Sequence, residues 1–397
     1  MKSKIIFITF ILSLYCCTKP KGSREISEFF KGDSIVSEVF VKGNMLSVVS
    51  LNDLKMNIET IFLSELVENC SLVQLENIDT EDRIPRVTTV TEKYIGVKYG
   101  MDNFKLFDRS GKFICAIYPS TPVSVEHISD FCIDDKNELI YFIWAHTNKI
   151  LVYNTSGYFV KEFLLPHWLT SPKISLSNDI LTVIQVPIAK PSGSFTKGNA
   201  DIFIIQFDII NGEVLNEIAP PEHFIFNGIK GFYMIFLHKN TSGIFDFQLS
   251  RNDTLYHFDK KKNQILPIFT LTSRLNSVMT LPRRYHYQLN NNLILSCTYD
   301  NIRGINKNMV ATDLKYRTSS WIKIVNNFYG NLPVMNESEF YNGYYVQNMS
   351  PKDLIYDIRK QLSDKSSTEK DKKTLKKILS TLDKGSNNVV FIGKLKQ

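Results

Sequence analysis

The chain has 397 residues, 43% of them hydrophobic and 12% aromatic, which excludes a disordered polar chain and is enough to bury an extended core. Its formal net charge is +7, but Lys2, Lys4 and the 350–385 segment, with ten basic against six acidic residues, hold almost all of that surplus. A nucleic-acid binder would carry a basic stripe on its folded body, so the sequence argues against that class of partner.

At the N-terminus, Lys2 and Lys4 precede an apolar run over residues 5–15. The run is too short to span a bilayer and has the length of a signal-peptide core. It ends in Leu14-Tyr15-Cys16-Cys17, which resembles a bacterial lipobox. Cys17 is the expected lipid acceptor because the small Cys16 then precedes it and Leu14 lies three residues before it. Choosing Cys16 would put bulky Tyr15 in front of the acceptor. Tyr15 two residues before Cys17 departs from the usual small or β-branched residue, and an ordinary cleaved signal peptide without lipid is the alternative. Each buried acyl methylene contributes about 0.8 kcal/mol, so a multi-chain anchor is effectively permanent. Residues 1–17 are therefore expected to be a lipoprotein signal peptide and lipobox, and residues 18–33, polar and basic with Pro20 and Gly22, a flexible tether. No acidic cluster follows the cysteine, so the expected location is the cell envelope, anchored to the outer membrane and facing the periplasm.

Residues 34–397 are dominated by one repeated phrase: a β-rich run, an aromatic-Asp or aromatic-Asn step, a turn, and a second β-rich run. The anchors Phe107-Asp108, Tyr153-Asn154, Phe207-Asp208 and Phe258-Asp259 lie 46, 54 and 51 residues apart. A period near 50 that carries strands gives one small antiparallel sheet per repeat, hence an all-β, six-bladed β-propeller. The first five blades are expected near 84–118, 128–163, 174–218, 231–271 and 285–325. Asp134 and Asp135 in the hairpin of the second blade read as turn chemistry and not as a catalytic pair. The sixth blade starts at 340–349, is interrupted, and resumes at 388–394. It lacks a strand, and the unpaired run at 71–76 is expected to supply it, closing the ring and removing both exposed edges. The strand-like runs over 35–63 find no place in this scheme.

The interruption at 350–385 reads as a helical insertion in the last blade. Ser350-Pro351 is an N-cap followed by proline at the first helical position, and Leu354, Ile355, Ile358 and Leu362 share one face. Leu375, Ile378, Leu379 and Leu382 repeat the pattern. Of the six cysteines, Cys16 and Cys17 belong to the export signal. Cys70, Cys115, Cys132 and Cys297 read as buried small hydrophobes, with a Cys115–Cys132 bond as the lesser alternative.

With the lipobox, FDRSGKFI from Phe107, DFCIDDKNELIY from Asp130, NDTLYHFDKK from Asn252 and NVVFIGKLK from Asn388, the chain resembles the six-bladed β-propeller lipoproteins of Gram-negative gut and oral anaerobes, a group distantly similar to NHL-repeat propellers. The resemblance covers roughly residues 60–397. It implies the fold and the membrane anchor, and carries over no catalytic residue.

The seven histidines form no HExxH or His-x-His motif. On the blade scheme His127, His146, His223 and His286 fall in or beside loops opening on one face of the ring, while His257 sits in a strand. The Gly-, Pro- and Ser-rich 186–200 loop belongs to that face. Arg283, Arg284 and Arg303 are expected on its rim, where an arginine beside Tyr or His can clamp a carboxylate or stack on a sugar or peptide group. The candidate ligand-binding residues are thus His127, His146, Arg283, Arg284, His286 and Arg303. The favoured function is a tethered binding or scaffold protein for a glycan, peptide or envelope partner. The alternative is an NHL-like propeller enzyme, a lyase or metal-dependent lactonase or hydrolase, with a divalent ion in the channel. The sequence assigns no catalytic residue and no cofactor.

Overall fold

The computed structural model describes residues 35–41, 43–55, 57–77, 85–100, 103–118, 128–145, 147–187, 201–225, 235–240, 245–249, 253–259, 262–272, 283–290, 292–300, 306–334, 338–382 and 387–396. In chain order it opens with β1 (Ser37–Val41), β2 (Asn44–Ser50), β3 (Ile58–Phe62), a single helical turn α1 (Leu63–Leu66) and β4 (Ser71–Gln74). Five blades follow: β5–β8 within 85–117, β9–β12 within 128–164, β13–β16 within 173–218, β17–β20 within 235–272 and β21–β24 within 283–326. A short β25 (Leu332–Pro333) precedes the sixth blade, made of β26 (Glu339–Tyr341), β27 (Tyr344–Met349) and β28 (Val389–Lys394). The helices α2 (Pro351–Ser363) and α3 (Glu369–Thr381) lie between β27 and β28.

Within each of the first five blades, strands adjacent in sequence are neighbours in an antiparallel sheet, as short hairpin connections require. The burial patterns follow from stacking these sheets around an axis. In β10 (Leu139–Trp144), five of six residues are buried, because neighbouring blades cover both of its faces. In the outermost β12 (Phe159–Leu164), no residue is fully buried. Each of the six apolar clusters fills the space between two adjacent blades. Between the first and second, Phe104 meets Phe131 and Phe142 edge to face with ring centroids 4.7 and 5.0 Å apart, the arrangement aromatic quadrupoles favour.

The repeated aromatic-Asp step caps the turn between the third and fourth strands. Asp108 Oδ1 accepts the N–H groups of Ser110 and Lys112 at 2.8 and 3.0 Å. Asp208 Oδ1 accepts those of Ile210 and Asn211 at 2.7 and 3.2 Å, and Asn154 and Asp259 occupy equivalent places. Asp313 does the same in the fifth blade. Asp134 serves the hairpin of the second blade through Lys136 and Asn137 N–H. Asp135 reaches back to the first blade, accepting Thr91 Oγ1 at 2.6 Å and Lys93 N–H at 3.1 Å.

The ring closes through the N-terminal strand: β4 pairs antiparallel with β28, Val73 opposite Val390, and becomes the fourth strand of the sixth blade. The runs at 35–63 have a role that sequence alone left open. The β1–β2 hairpin adds to the fourth blade, β2 running parallel to β20 (Gln264–Thr272), and β3 runs parallel to β24 (Thr318–Asn326) of the fifth. The segment thus straps the outer edges of the fourth and fifth blades in turn before the chain enters the sixth as β4. The helical pair seats Leu354, Ile358, Leu375 and Ile378 in the cluster between the last two blades. Ser350 caps α2, accepting Asp353 N–H at 3.1 Å, and Thr368 with Asp371 forms a reciprocal capping box on α3. Cys70, Cys115, Cys132 and Cys297 are free thiols, so no Cys115–Cys132 bond forms.

Candidate functional site

Inner strands β5 (Pro85–Val90), β9 (Ile128–Asp134), β13 (Lys173–Ser177), β17 (Ile235–His238), β21 (Arg283–Gln288) and β26 face the axis. Together they enclose a cavity of about 110 Å³, to which every one of the six contributes a side chain. A wider cavity of about 270 Å³ lies toward the end of the ring that carries the first-to-second-strand hairpins, bordered by Glu92, Asp135, Lys239 and Asn342. Tyr341 borders both cavities.

Besides two tyrosines, the smaller cavity gathers two carboxylates, a lysine and an imidazole from four blades: Asp130, Lys173, His238 and Glu339. Asp130 is buried on β9. Its Oδ2 accepts the Ile174 N–H at 3.0 Å and its Oδ1 faces Lys173 Nζ at 3.4 Å. His238, at the end of β17, is 6% exposed, and burial pushes its imidazole down to about 3, with the nearby Lys173 charge acting in the same direction. The ring is therefore neutral at physiological pH, and its Nε2 has no hydrogen-bond partner. Tyr287 meets the same ring edge to face at 4.7 Å.

Glu339, first residue of β26, lies deep in the ring, and the surface it keeps faces the axis. Burial pushes its carboxyl up to about 7, with Lys173 pulling it down and Asp130 pushing it up. Burial, Asp130, Cys132 and Glu339 all hold the Tyr341 phenol protonated. Among the described residues no three His, Cys, Asp or Glu side chains converge so as to hold a metal ion.

The loop-face residues named from sequence fare differently. Cys17, His127, His146, Arg303 and the 188–200 part of the long loop lie outside the described residues, and Arg283 is placed only as the first residue of β21. Arg284 and His286 are not rim groups: both are buried in β21. Arg284 pairs with Asp253 at 2.7 Å and donates to the Leu271 carbonyl. His286 Nδ1 lies 2.8 Å from Ser296 Oγ and its Nε2 3.2 Å from the Asp253 carbonyl. Gln248 joins them, donating to the Arg284 carbonyl and accepting the His286 N–H. The polar run RRYH reads as loop, yet it is an inner strand whose alternate residues enter this seam between the fourth and fifth blades. His257 pairs with buried Asp246 at 2.7 Å. The axial set escaped the sequence because its members sit one per blade. The available signal was one inward charged or imidazole side chain in each of four first strands, and in β9 (ISDFCID) it stands beside a second aspartate, Asp134, that serves the hairpin.

No family model and no curated protein matches the chain. Among solved structures it is similar to a Bacteroides fragilis protein described as exported, at 14% identity and a TM-score of 0.56, covering 86% of this chain and 100% of that one. It is also similar to a Bacteroides vulgatus member of the DUF4221 family, at 13% identity and a TM-score of 0.45, covering 84% of this chain and 98% of that one. Fold and site together define a six-bladed β-propeller closed by its own N-terminal strand, with a cavity on the axis whose largely apolar wall carries a few charged and imidazole groups. The first likeness carries the fold and leaves the chemistry to the residues of this chain.

Proposed function

We propose that this protein is an envelope-tethered binding protein that takes part of a glycan, peptide or other envelope partner into its axial cavity. The observation that carries the reading is a cavity lined from all six blades that holds a buried imidazole nitrogen with no partner. A polar group taken out of water without a hydrogen bond costs on the order of 1–3 kcal/mol, and a ligand that supplies the bond recovers it. Lipidation at Cys17 would hold the propeller at the outer membrane, facing the periplasm. The exported description of the Bacteroides fragilis structure agrees with an export signal, and among the described residues no helix is long and apolar enough to cross a membrane.

Two measurements test this. Cys17→Ala is expected to abolish acyl labelling and release the protein from the membrane fraction, while Cys16→Ala leaves both unchanged. A Cys17 variant that stays acylated and membrane-bound overturns the anchor. On glycan and peptide arrays, the full-length protein is expected to capture a ligand that Val87→Phe, which fills the cavity, no longer retains. No captured ligand, or capture indifferent to the filled cavity, overturns the axial site.

A further inference from the structure

The charges on the axis do not balance. Lys173 is engaged with Asp130, and among the described residues the Glu339 carboxyl makes no hydrogen bond and no ion pair, although it faces the same cavity. His238 adds a neutral imidazole whose Nε2 is buried and unpartnered. Phe236, Tyr287 and Tyr341 supply aromatic surface around these groups, and ring faces attract cations. An anion would add to the unpaired carboxylate, and a neutral polyol would leave that charge uncompensated. We propose that the axial cavity binds a primary ammonium group on a slender aliphatic stem, reaching past Tyr341 from the wider cavity, with Glu339 as counter-ion and His238 Nε2 as hydrogen-bond acceptor. This rests on reading the cavity as a ligand site and adds the chemistry of the ligand.

The protonation of Glu339 supports it. Its carboxyl sits near 7, so an incoming cation must displace a proton at pH 6 and meets a carboxylate at pH 8. The other titratable groups lining its cavity are Asp130 and Lys173, held as a pair, His238, already neutral throughout this range, Tyr287, and Tyr341, pushed far above it. An alkylammonium stays charged across the range.

The test uses the purified full-length protein and n-butylammonium chloride, with 1-butanol as neutral comparison, by titration calorimetry at pH 6 and pH 8. n-Butylammonium is expected to bind saturably at pH 8 and about tenfold more weakly at pH 6, following the ionised fraction of a carboxyl near 7; 1-butanol is expected not to bind. Glu339→Gln is expected to weaken binding by about tenfold or more and to abolish its pH dependence, while Lys173→Met, which removes the cation that pulls the Glu339 carboxyl down, moves the pH dependence to higher pH. Should either variant fail to fold, the comparison of the two probes on the unaltered protein decides. Equal binding of both probes, no saturable binding of n-butylammonium, or a Glu339→Gln protein that binds it unchanged overturns the proposal. N-acetyl-lysine amide separates a lysine side chain, which it imitates, from a free amine as the natural source. A ligand captured on the arrays and lost in Val87→Phe, with n-butylammonium inert, removes the ammonium inference and leaves the binding function standing. An array without hits removes the binding function itself.

Discussion

His238 and His286 dominate the acid response at the scale of single residues. Burial holds both near 3 in the folded protein, against about 6.5 in an unfolded chain. Between those values the unfolded state binds more protons, so their contribution to stability is complete above about pH 6.5 and is lost as the pH falls toward 3. Glu339 acts in the opposite sense. Its carboxyl is raised from 4.5 to about 7, so its contribution is complete below 4.5 and lost as the pH rises through 7. Two histidines with the larger shifts outweigh one glutamate, and the thermal midpoint is expected to fall steadily from pH 7 to pH 4.5. His286→Gln should start lower, having lost its Ser296 bond, and show a shallower fall; an unchanged slope would remove His286 from the explanation. Glu339→Gln is expected to raise the midpoint at pH 8 by about 1–3 °C and to leave it unchanged at pH 4.5, a pair of melting curves that isolates the buried carboxylate.

At the scale of elements, turns and joints set the tolerance to change. Asp108→Ala or Asp208→Ala removes an oxygen that caps two backbone N–H groups of its turn, at a cost of about 1 kcal/mol by denaturant unfolding. Gly111 is a harder case. It sits at φ +90° in the same turn as Asp108, and a Cβ there would run into the Gln74 carbonyl of β4. That close approach ties the first blade to the closing strand, since Glu76 N–H donates to the Gly111 carbonyl at 2.8 Å. Gly111→Ala is expected to cost about 1–3 kcal/mol, more than the neighbouring aspartate, and a milder effect would mean the joint can shift. Gly330 plays a similar part beneath α3, with Leu375 and the Asp371 carbonyl against its missing Cβ. The helical pair is therefore seated on the last two blades and not hung from them.

For the molecule as a whole, cooperativity depends on closure. β28 lies between β27 and β4, so removing residues 388–397 would detach the closing strand and open two edges at once. The expected outcome is loss of the single cooperative melt, or a large drop in its midpoint, because each blade is covered on both faces only while the ring is intact. Equal melting of truncated and parent proteins would contradict closure. Removing residues 35–62 uncovers β20 and β24 without breaking the ring. A smaller loss of midpoint is expected there, accompanied by self-association in light scattering, since unpaired edges template further pairing.

The sequence by itself determined the blade count, the position of each blade to within a few residues, the helical insertion and the closing strand. Those features rest on local physics: alternation and apolar runs mark strands, and Asp108, Asn154, Asp208 and Asp259 recur because each turn must cap its own N–H groups nearby in the chain. The strap at 35–63 was visible as strands but not placed, because an apolar edge strand matches any open blade equally well until the ring shows which edges are free. Arg284 and His286 were misplaced for a related reason. Their polarity argues for a surface until Gln248 and Ser296 from other strands, and Asp253 just ahead of β19 (Thr254–Asp259), are seen to satisfy them in the interior. Only tertiary structure decided the axial site, because Asp130, Lys173, His238 and Glu339 have no sequence relationship to one another. Radial packing of six inner strands brings them to one cavity, and the burial that this packing imposes sets their protonation.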